Sequence, residues 1–204
     1  MARTQALDYD KRRLAIMETA ASLYASHGFL GTSVAQIAEA CKTSKSLLYH
    51  YYPSKEDILF DVMDSHVLSL IEATREIEAL DATASEKVRR LADALMGIYV
   101  GAQAHQKVLL NELTNLAEDR RTTIISHQRE LLTLVDGLVL VLRPDMAKAK
   151  AERRALVMLF FGMINWAHTW YDADGPVKPA AFAKMASDLF LGGLEAGAGS
   201  AEAG

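Results

Sequence analysis

The sequence predicts an all-α protein of about nine helices, with an N-terminal three-helix helix-turn-helix head and a C-terminal helical body. Three observations support this fold class. The 204 residues include only four prolines, half of the residues are apolar, and the apolar residues recur at helical spacing between clear breaks. A chain of this length and apolar content can bury a substantial core, which argues against disorder.

The first helix is predicted over about residues 10–27. We expect it to end at His27-Gly28, because glycine readily takes the left-handed conformation that closes a helix. Its buried stripe consists of Leu14, Met17, Ala20, Ala21 and Tyr24.

A pair of short helices follows, joined by a turn at Lys42-Thr43. Thr32 or Ser33 caps the second helix, and Ser44 caps a third helix of about seven residues. At about 1.5 Å per residue the third helix is roughly 10–12 Å long, which suits a DNA major groove. The buried stripe of the second helix consists of Val34, Ile37, Ala38 and Cys41.

Pro53 ends the third helix, and Ser54 with Asp57 resembles a capping box at the start of a fourth helix that runs to about residue 80. We predict a DNA-binding domain at 8–56, a helical body at 57–198, and a disordered tail at 199–204. The remaining helical runs are predicted at about 85–104, 106–116, 120–142, 149–171 and 179–196.

Composition excludes several classes of protein. The single cysteine, Cys41, cannot form an internal disulfide, so a reducing cytoplasm is expected. The polar N-terminus lacks the apolar segment of a signal peptide, and no apolar run approaches the ~20 residues of a membrane span. Phosphate-binding loops, nucleophile elbows and metal-binding histidine pairs are also missing. We therefore expect no enzyme activity, no cofactor, no metal site and no membrane partner.

The third helix carries the residues that suit DNA recognition. Its N-terminal residues should reach base edges, because recognition helices insert that end into the groove. We assign this role to Lys45, Ser46 and Leu47. Phosphate contacts are assigned to Tyr49, His50 and Lys55, and also to Thr32 and Ser33 at the start of the second helix. Leu48 and Tyr52 are expected to pack inside the head.

Net charge is −4 overall, which is unusual for a DNA-binding protein. Residues 1–60 carry +1 and residues 61–204 carry −5. The acidity therefore lies outside the head, and non-specific DNA affinity should be modest because few phosphates would be neutralised.

Residues 10–60 resemble the TetR/AcrR family of one-component bacterial repressors. The resemblance rests on Gly28, Thr32-Ser33, Ile37-Ala38, Ser44-Lys45, Leu48 to Tyr52, and Ser54 to Glu56. Two departures are Lys42-Thr43, where the family usually has Gly-Val, and Ser46-Leu47, where it usually has Gly-Thr. A lysine in place of glycine should be energetically less favourable in the backbone geometry of this turn.

The resemblance implies a homodimer whose last two helices form the interface. Apolar stripes on those helices agree with this expectation, although each residue could instead belong to the intramolecular core. Dimer-interface residues are predicted to be Leu159, Met163, Trp170, Phe182, Met185, Leu189 and Gly193. Two-fold symmetry would then place operator half-sites about one DNA turn apart, or a multiple of it.

The segment from Asn165 to Tyr171 is similar to the C-terminal domain of TetR-like regulators of aromatic-acid and fatty-acid breakdown. That similarity implies that residues 57–198 form a ligand-binding and dimerisation domain with an inducer pocket, and members of that subgroup often sense acyl-CoA thioesters. A pocket of this kind needs apolar walls with a few polar anchors. Candidate residues are Tyr99, Asn111, Glu112, Asn115, Arg129, Asn165 and Trp166. Glu112 and Arg129 could equally form a structural ion pair or be exposed.

Two hypotheses for function follow. The first is a transcriptional repressor that binds double-stranded operator DNA and releases a palindromic operator when a small apolar or acyl-CoA-type inducer binds. The second is a helical protein-interaction module whose helix-turn-helix does not bind DNA, which the nearly neutral head would favour.

Overall fold

The computed structural model describes the backbone of residues 2–201 and the side chains of residues 9–196. Every regular element in this range is helical, so the predicted all-α class is confirmed. The nine α-helices are α1 Ala2–His27, α2 Val34–Ala40, α3 Lys45–Tyr51, α4 Lys55–Glu78, α5 Ala84–Gly101, α6 Gln103–Asn111, α7 Glu118–Leu142, α8 Lys150–Asn165 and α9 Pro179–Ala201. Short 3-10 turns lie at Leu113–Asn115, Pro144–Met146 and Trp166–Thr169.

The first of two compact units contains the described residues up to Val67 together with Ala102–Ile125. This unit extends beyond the domain boundary predicted after residue 56, because α4 and α6 complete its core. The two helices contribute Ile58, Leu59, Val62, Met63, Val108 and Leu109 to the cluster that also buries Ile37 and Leu48. A helix pair as short as α2 and α3 needs this support, since tertiary packing supplies most helical stability.

The turn between α2 and α3 has the strained geometry expected from its lysine. Lys42 has φ = +53°, and it is the one non-glycine residue with positive φ in the described part of the chain. Capping side chains hold the helices on either side. Ser33 and Gln36 form a reciprocal capping box at the start of α2, and the Ser44 hydroxyl accepts a hydrogen bond from the Leu47 N–H at 3.1 Å.

We expect Lys42→Gly to stabilise the head by about 1 kcal/mol, because glycine avoids the steric cost of the left-handed conformation. Urea unfolding followed by circular dichroism measures the change. Glu39→Gly is the matched control. It lies in regular helix and should lower the free energy of unfolding by about 1 kcal/mol. A destabilised Lys42→Gly variant would show that the lysine side chain contributes more than its strain costs.

The second unit contains Leu68–Gly101 and the described residues from Ser126 onward. Helices α5, α8 and α9 pack around a core that includes Leu91, Leu95 and Phe160, and the Phe160 and Phe190 rings lie 5.1 Å apart. No helix among the described residues is long and apolar enough to cross a membrane.

Two boundaries in this unit differ from the predicted ones. Helix α8 ends at Asn165 instead of continuing to 171. A local hydrogen bond between His168 Nδ1 and the Asn165 carbonyl, at 2.6 Å, offers the backbone an alternative to the α-helix. Helix α9 continues to Ala201 instead of ending at 196. Residues 202–204 of the predicted tail lie outside the described residues.

Candidate nucleic-acid interface and body groove

Helix α3 has one exposed face and one buried face. The exposed residues include every side chain of α3 assigned to DNA, namely Lys45, Ser46, Leu47, Tyr49 and His50. Leu48 is fully buried and Tyr52 nearly so, as predicted for residues that pack the head. The helix therefore offers a continuous row of side chains on a firmly packed support.

Tyr52 fastens the end of α3 to α1 and α4. Its hydroxyl donates a 2.7 Å hydrogen bond to Asp61 Oδ2, which also pairs with Arg13 at 2.6 Å. The Arg13 guanidinium lies 5.1 Å from the centre of the Tyr52 ring. Burial and the Asp61 carboxylate both raise the pKa of Tyr52, so the hydroxyl keeps its proton and remains a donor.

A second contact holds the same end of α3 from the other side. Tyr9 of α1 stacks at a tilt on Tyr51, with ring centres 4.7 Å apart, and meets the edge of His50 at 6.2 Å. His50 is thus exposed but oriented by an aromatic neighbour.

Lys55 has a structural role that the sequence did not reveal. Its ammonium group donates hydrogen bonds to the Phe29 carbonyl at 2.7 Å and the Thr32 carbonyl at 2.8 Å, and it lies 4.0 Å from the centre of the Phe29 ring. Desolvation lowers the pKa of Lys55. Two of its three N–H groups are therefore committed to the loop between α1 and α2. Lys55 anchors this loop, and its phosphate contact stays a prediction.

Thr32 and Ser33 both complete the local fold at the start of α2. Thr32 is only 2% exposed, and its hydroxyl donates to the Gly28 carbonyl at 2.9 Å. Ser33 is exposed, and its hydroxyl is engaged with Gln36 in the capping box. The phosphate contacts were predicted from the start of the helix and not from these hydroxyls, so they stay a prediction.

The first unit holds three of the predicted pocket residues, and they bond locally. The Asn115 side-chain amide donates to Glu112 Oε2 at 2.7 Å. Asn111 is exposed, and its amide donates to the Lys107 carbonyl at 2.8 Å. Glu112 thus has an amide partner within its own segment.

The other four predicted pocket residues lie in the second unit and differ in burial. Tyr99 is buried in the core on α5. Asn165 is half-buried, whereas Arg129 is exposed and Trp166 is 65% exposed. The indole of Trp166 lies at the surface of this unit and not in its core, and its part in an inducer pocket stays a prediction.

Trp166 instead lines an apolar groove of about 620 Å³ formed by α8, the turn after it and α9. Six of the seven predicted dimer residues line the same groove, and Gly193 does not. The lining is Met158, Leu159, Gly162, Met163, Trp166, Trp170, Val177, Phe182, Met185, Ala186 and Leu189. Leu159 is 63% exposed and Leu189 is 72% exposed. Contiguous apolar surface of this kind is typical of a protein–protein contact.

A buried polar cluster in the first unit was not predicted. His66 of α4 is 3% exposed, and its Nε2 lies 2.7 Å from Gln106 Oε1 of α6. The His105 ring centre is 6.0 Å from that of His66, and His105 Nε2 is 3.5 Å from Glu18 Oε1. Burial lowers the pKa of His66 to about 4 and also lowers that of His105. The one signal in the sequence was that His66 lies on the apolar stripe of α4.

Among the described residues, no group of three or more His, Cys, Asp or Glu side chains could hold a metal ion. The exposed row on α3 has the size and position that suit a DNA groove, and the apolar groove has the chemistry that suits an apolar partner.

Comparison with known proteins agrees with these two surfaces. Residues 16–62 match the sequence profile described as bacterial regulatory proteins, tetR family, and residues 81–194 match the profile described as tetracyclin repressor-like, C-terminal domain. A TetR-family transcriptional regulator from Bordetella parapertussis 12822 has a similar structure, with a TM-score of 0.85 and 42% identity, covering 88% of this chain and 93% of that one.

Two further proteins are similar at lower identity. The transcriptional regulator HbdR of Aromatoleum sp. (strain CIB) is 29% identical, over 79% of this chain and 69% of HbdR. The structure of AibR in complex with isovaleryl coenzyme A and operator DNA has a TM-score of 0.75 at 24% identity, covering 88% of this chain and 98% of AibR, and shares the fold.

These relatives are transcription regulators and not enzymes, and ligand binding and dimerisation are typical of their family. The second profile alone covers more than half of the chain. The helix-turn-helix of α2 and α3 lies within the first profile, and α8 and most of α9 lie within the second. The chain belongs to the TetR family of bacterial DNA-binding transcription regulators.

Proposed function

We propose that the protein is a homodimeric repressor that binds a palindromic operator through α3 and releases it when an inducer binds the body. The exposed row on α3 carries this proposal. The five side chains of α3 assigned to DNA are exposed there. Leu48 and Tyr52 pack the opposite face of the helix into the core. A bacterial regulator of this kind works in the cytoplasm, and residues 8–56 and 57–198 are its proposed DNA-binding and regulatory domains.

Within α3 the roles divide by position. Lys45 at the N-terminus of the helix is the donor for guanine O6 or N7, and Leu47 contacts a thymine methyl group. Tyr49 and His50 contact phosphates from the following turn. Lys55, Thr32 and Ser33 remain proposed phosphate contacts, although Lys55 and Thr32 also bond internally. A few placed contacts fit the small net charge of the head.

We expect Lys45→Ala to relax specificity at one base pair of each half-site, at a cost of about 1–3 kcal/mol for the preferred sequence. Selection from random double-stranded DNA first identifies the operator, and titrations against single-base variants then measure specificity. Tyr49→Phe is the contrasting variant. Loss of its hydroxyl should weaken binding to all sequences alike.

The alternative of a protein-interaction module makes the opposite prediction for the same selection. No palindrome would then be enriched, and DNA binding would be absent even at low salt, where phosphate contacts are strongest. That result would overturn the repressor proposal.

The proposed dimer joins two copies of the groove between α8 and α9. A two-fold interface uses the same patch on both copies, and this patch is apolar, exposed and lined with aromatic side chains. The contact sets the distance between the two α3 helices of the dimer, and therefore which half-site spacing can be bound.

The proposed inducer is an acyl-CoA thioester or a small apolar molecule. Support comes from AibR, whose structure holds isovaleryl coenzyme A. An inducer acts only if it binds the DNA-free state more tightly. Competition of operator binding with a series of acyl-CoA thioesters tests this, with free coenzyme A as the control. Release by none of them would reject the thioester class while leaving DNA binding intact.

The direction of regulation is part of the proposal. Repression is favoured by the profile of the C-terminal domain, which describes a repressor-like domain. Transcription from an operator-bearing promoter should fall when the protein is added and recover with inducer. Increased transcription would instead identify an activator.

A further inference from the structure

A small polar pocket of about 280 Å³ lies between α7 and α8 in the second unit. We propose that this pocket binds a phosphate-type dianion. Its lining is Leu132, Thr133, Asp136, Lys150, Arg153 and Arg154. Three cationic side chains face one carboxylate there, so the lining carries a net charge of +2 in a region of the chain that is acidic overall.

Arg153 forms a fixed wall of the pocket. It is 6% exposed and makes two 3.0 Å hydrogen bonds to the two oxygens of Asp136. It also donates to the carbonyls of Met146 and Ala147, at 2.7 and 3.0 Å. The only carboxylate of the lining is therefore already paired, and it does not repel an incoming anion as an isolated acid would.

Lys150 and Arg154 are the cations available to a ligand. Both are exposed, and neither makes a hydrogen bond or ion pair with any described residue. They stand four residues apart on α8 and so share one face of the helix. Two unpaired cations at this spacing, beside a third that is held in place, suit the several oxygens of a phosphate group.

Their position also costs the free protein stability. Lys150 is the first residue of α8, where the helix dipole disfavours positive charge, and Ala149 provides no side-chain cap. Glu152 is the acidic residue in the first turn of α8. A bound dianion would complement both cations and remove the unfavourable interaction. The cations therefore lower the stability of the free protein, and the ligand restores it on binding.

The test uses the full chain and isothermal titration calorimetry at low ionic strength. Inorganic phosphate and adenosine 3′,5′-bisphosphate are the probes. The test variant is Lys150→Gln with Arg154→Gln. The matched control is Lys148→Gln with Lys178→Gln, which removes the same charge from exposed positions outside the pocket.

We expect one saturable site per chain in the wild type and the control, and binding weakened by about 100-fold or more in the test variant, at roughly tenfold per cation. Without ligand, the test variant should melt at the same temperature as the wild type or higher, because it loses cations from a helix start. Arg154→Lys should retain most of the binding.

The two probes separate the sources of the phosphate. Equal affinities assign the pocket to free phosphate, and tighter binding of the nucleotide assigns it to a nucleotide-bearing ligand, and both results support the site. Unsaturable binding, or equal affinity in the test variant and the control, would overturn it. The proposal is independent of operator binding, since no step of the test uses DNA.

Discussion

Leu159→Glu should convert the protein from a dimer to a monomer and abolish operator binding at any concentration near the wild-type Kd. Leu159 is 63% exposed in one copy and lies in the groove proposed as the two-fold interface. A carboxylate at that position is buried without a partner in the dimer, and symmetry places two of them in each interface. A cost of about 3–5 kcal/mol weakens the dimer by at least about 100-fold.

Light scattering after size-exclusion chromatography measures the mass, and a titration with the selected operator measures binding. Val141→Glu is the matched control. Val141 is also an exposed aliphatic residue of the second unit, 69% exposed, but it does not line the groove. It should remain dimeric and bind DNA. A dimeric Leu159→Glu variant would place the interface on another surface.

Acidification should destabilise the first unit through its buried histidines. The pKa of His66 falls from its usual 6.5 to about 4 because burial disfavours the charged ring. Folding therefore favours the neutral form. The contribution of His66 is fully present above pH 6.5 and is lost as pH falls from there towards 4, by a total of about 3 kcal/mol. His105, whose pKa is also lowered, acts in the same direction.

Urea unfolding followed by far-ultraviolet circular dichroism, between about pH 7 and about pH 4, measures this loss. His66→Gln removes the titrating ring and should flatten the profile, whatever its own stability at neutral pH. His27→Gln replaces an exposed histidine and should leave the profile unchanged. Parallel profiles for His66→Gln and the wild type would assign the acid sensitivity to other groups.

Sequence reasoning recovered those parts of the site whose residues can be recognised from the spacing of their near neighbours in the sequence. Leu48 and Tyr52 fall on the apolar stripe of a short helix, and Lys42 stands where a turn requires a positive φ. Both features can be seen within a few residues. Six of the seven residues predicted for the dimer interface line the groove, and their apolar stripe on α8 and α9 was visible in the same way. Their role in the interface stays a prediction.

Long-range partners could not be predicted from the sequence. Lys55 binds the Phe29 carbonyl from 26 residues away, and His66 meets Gln106 across 40 residues. Nothing in the local pattern reveals such partners. The end of α8 was misplaced for another reason. The helical period continues past Asn165 in the sequence, but a 3-10 turn begins at Trp166.

Trp166 and Trp170 are the only tryptophans of the chain, and both line the groove. The tryptophan fluorescence of the protein therefore originates from one surface. In a separated copy the indoles are 65% and 59% exposed and should emit at long wavelength. Association of two copies through the proposed interface should shift the tryptophan emission to the blue, whereas unfolding of the head alone should leave it unchanged. Selective excitation of tryptophan should therefore report assembly and melting of the body, and not the helices that contact DNA.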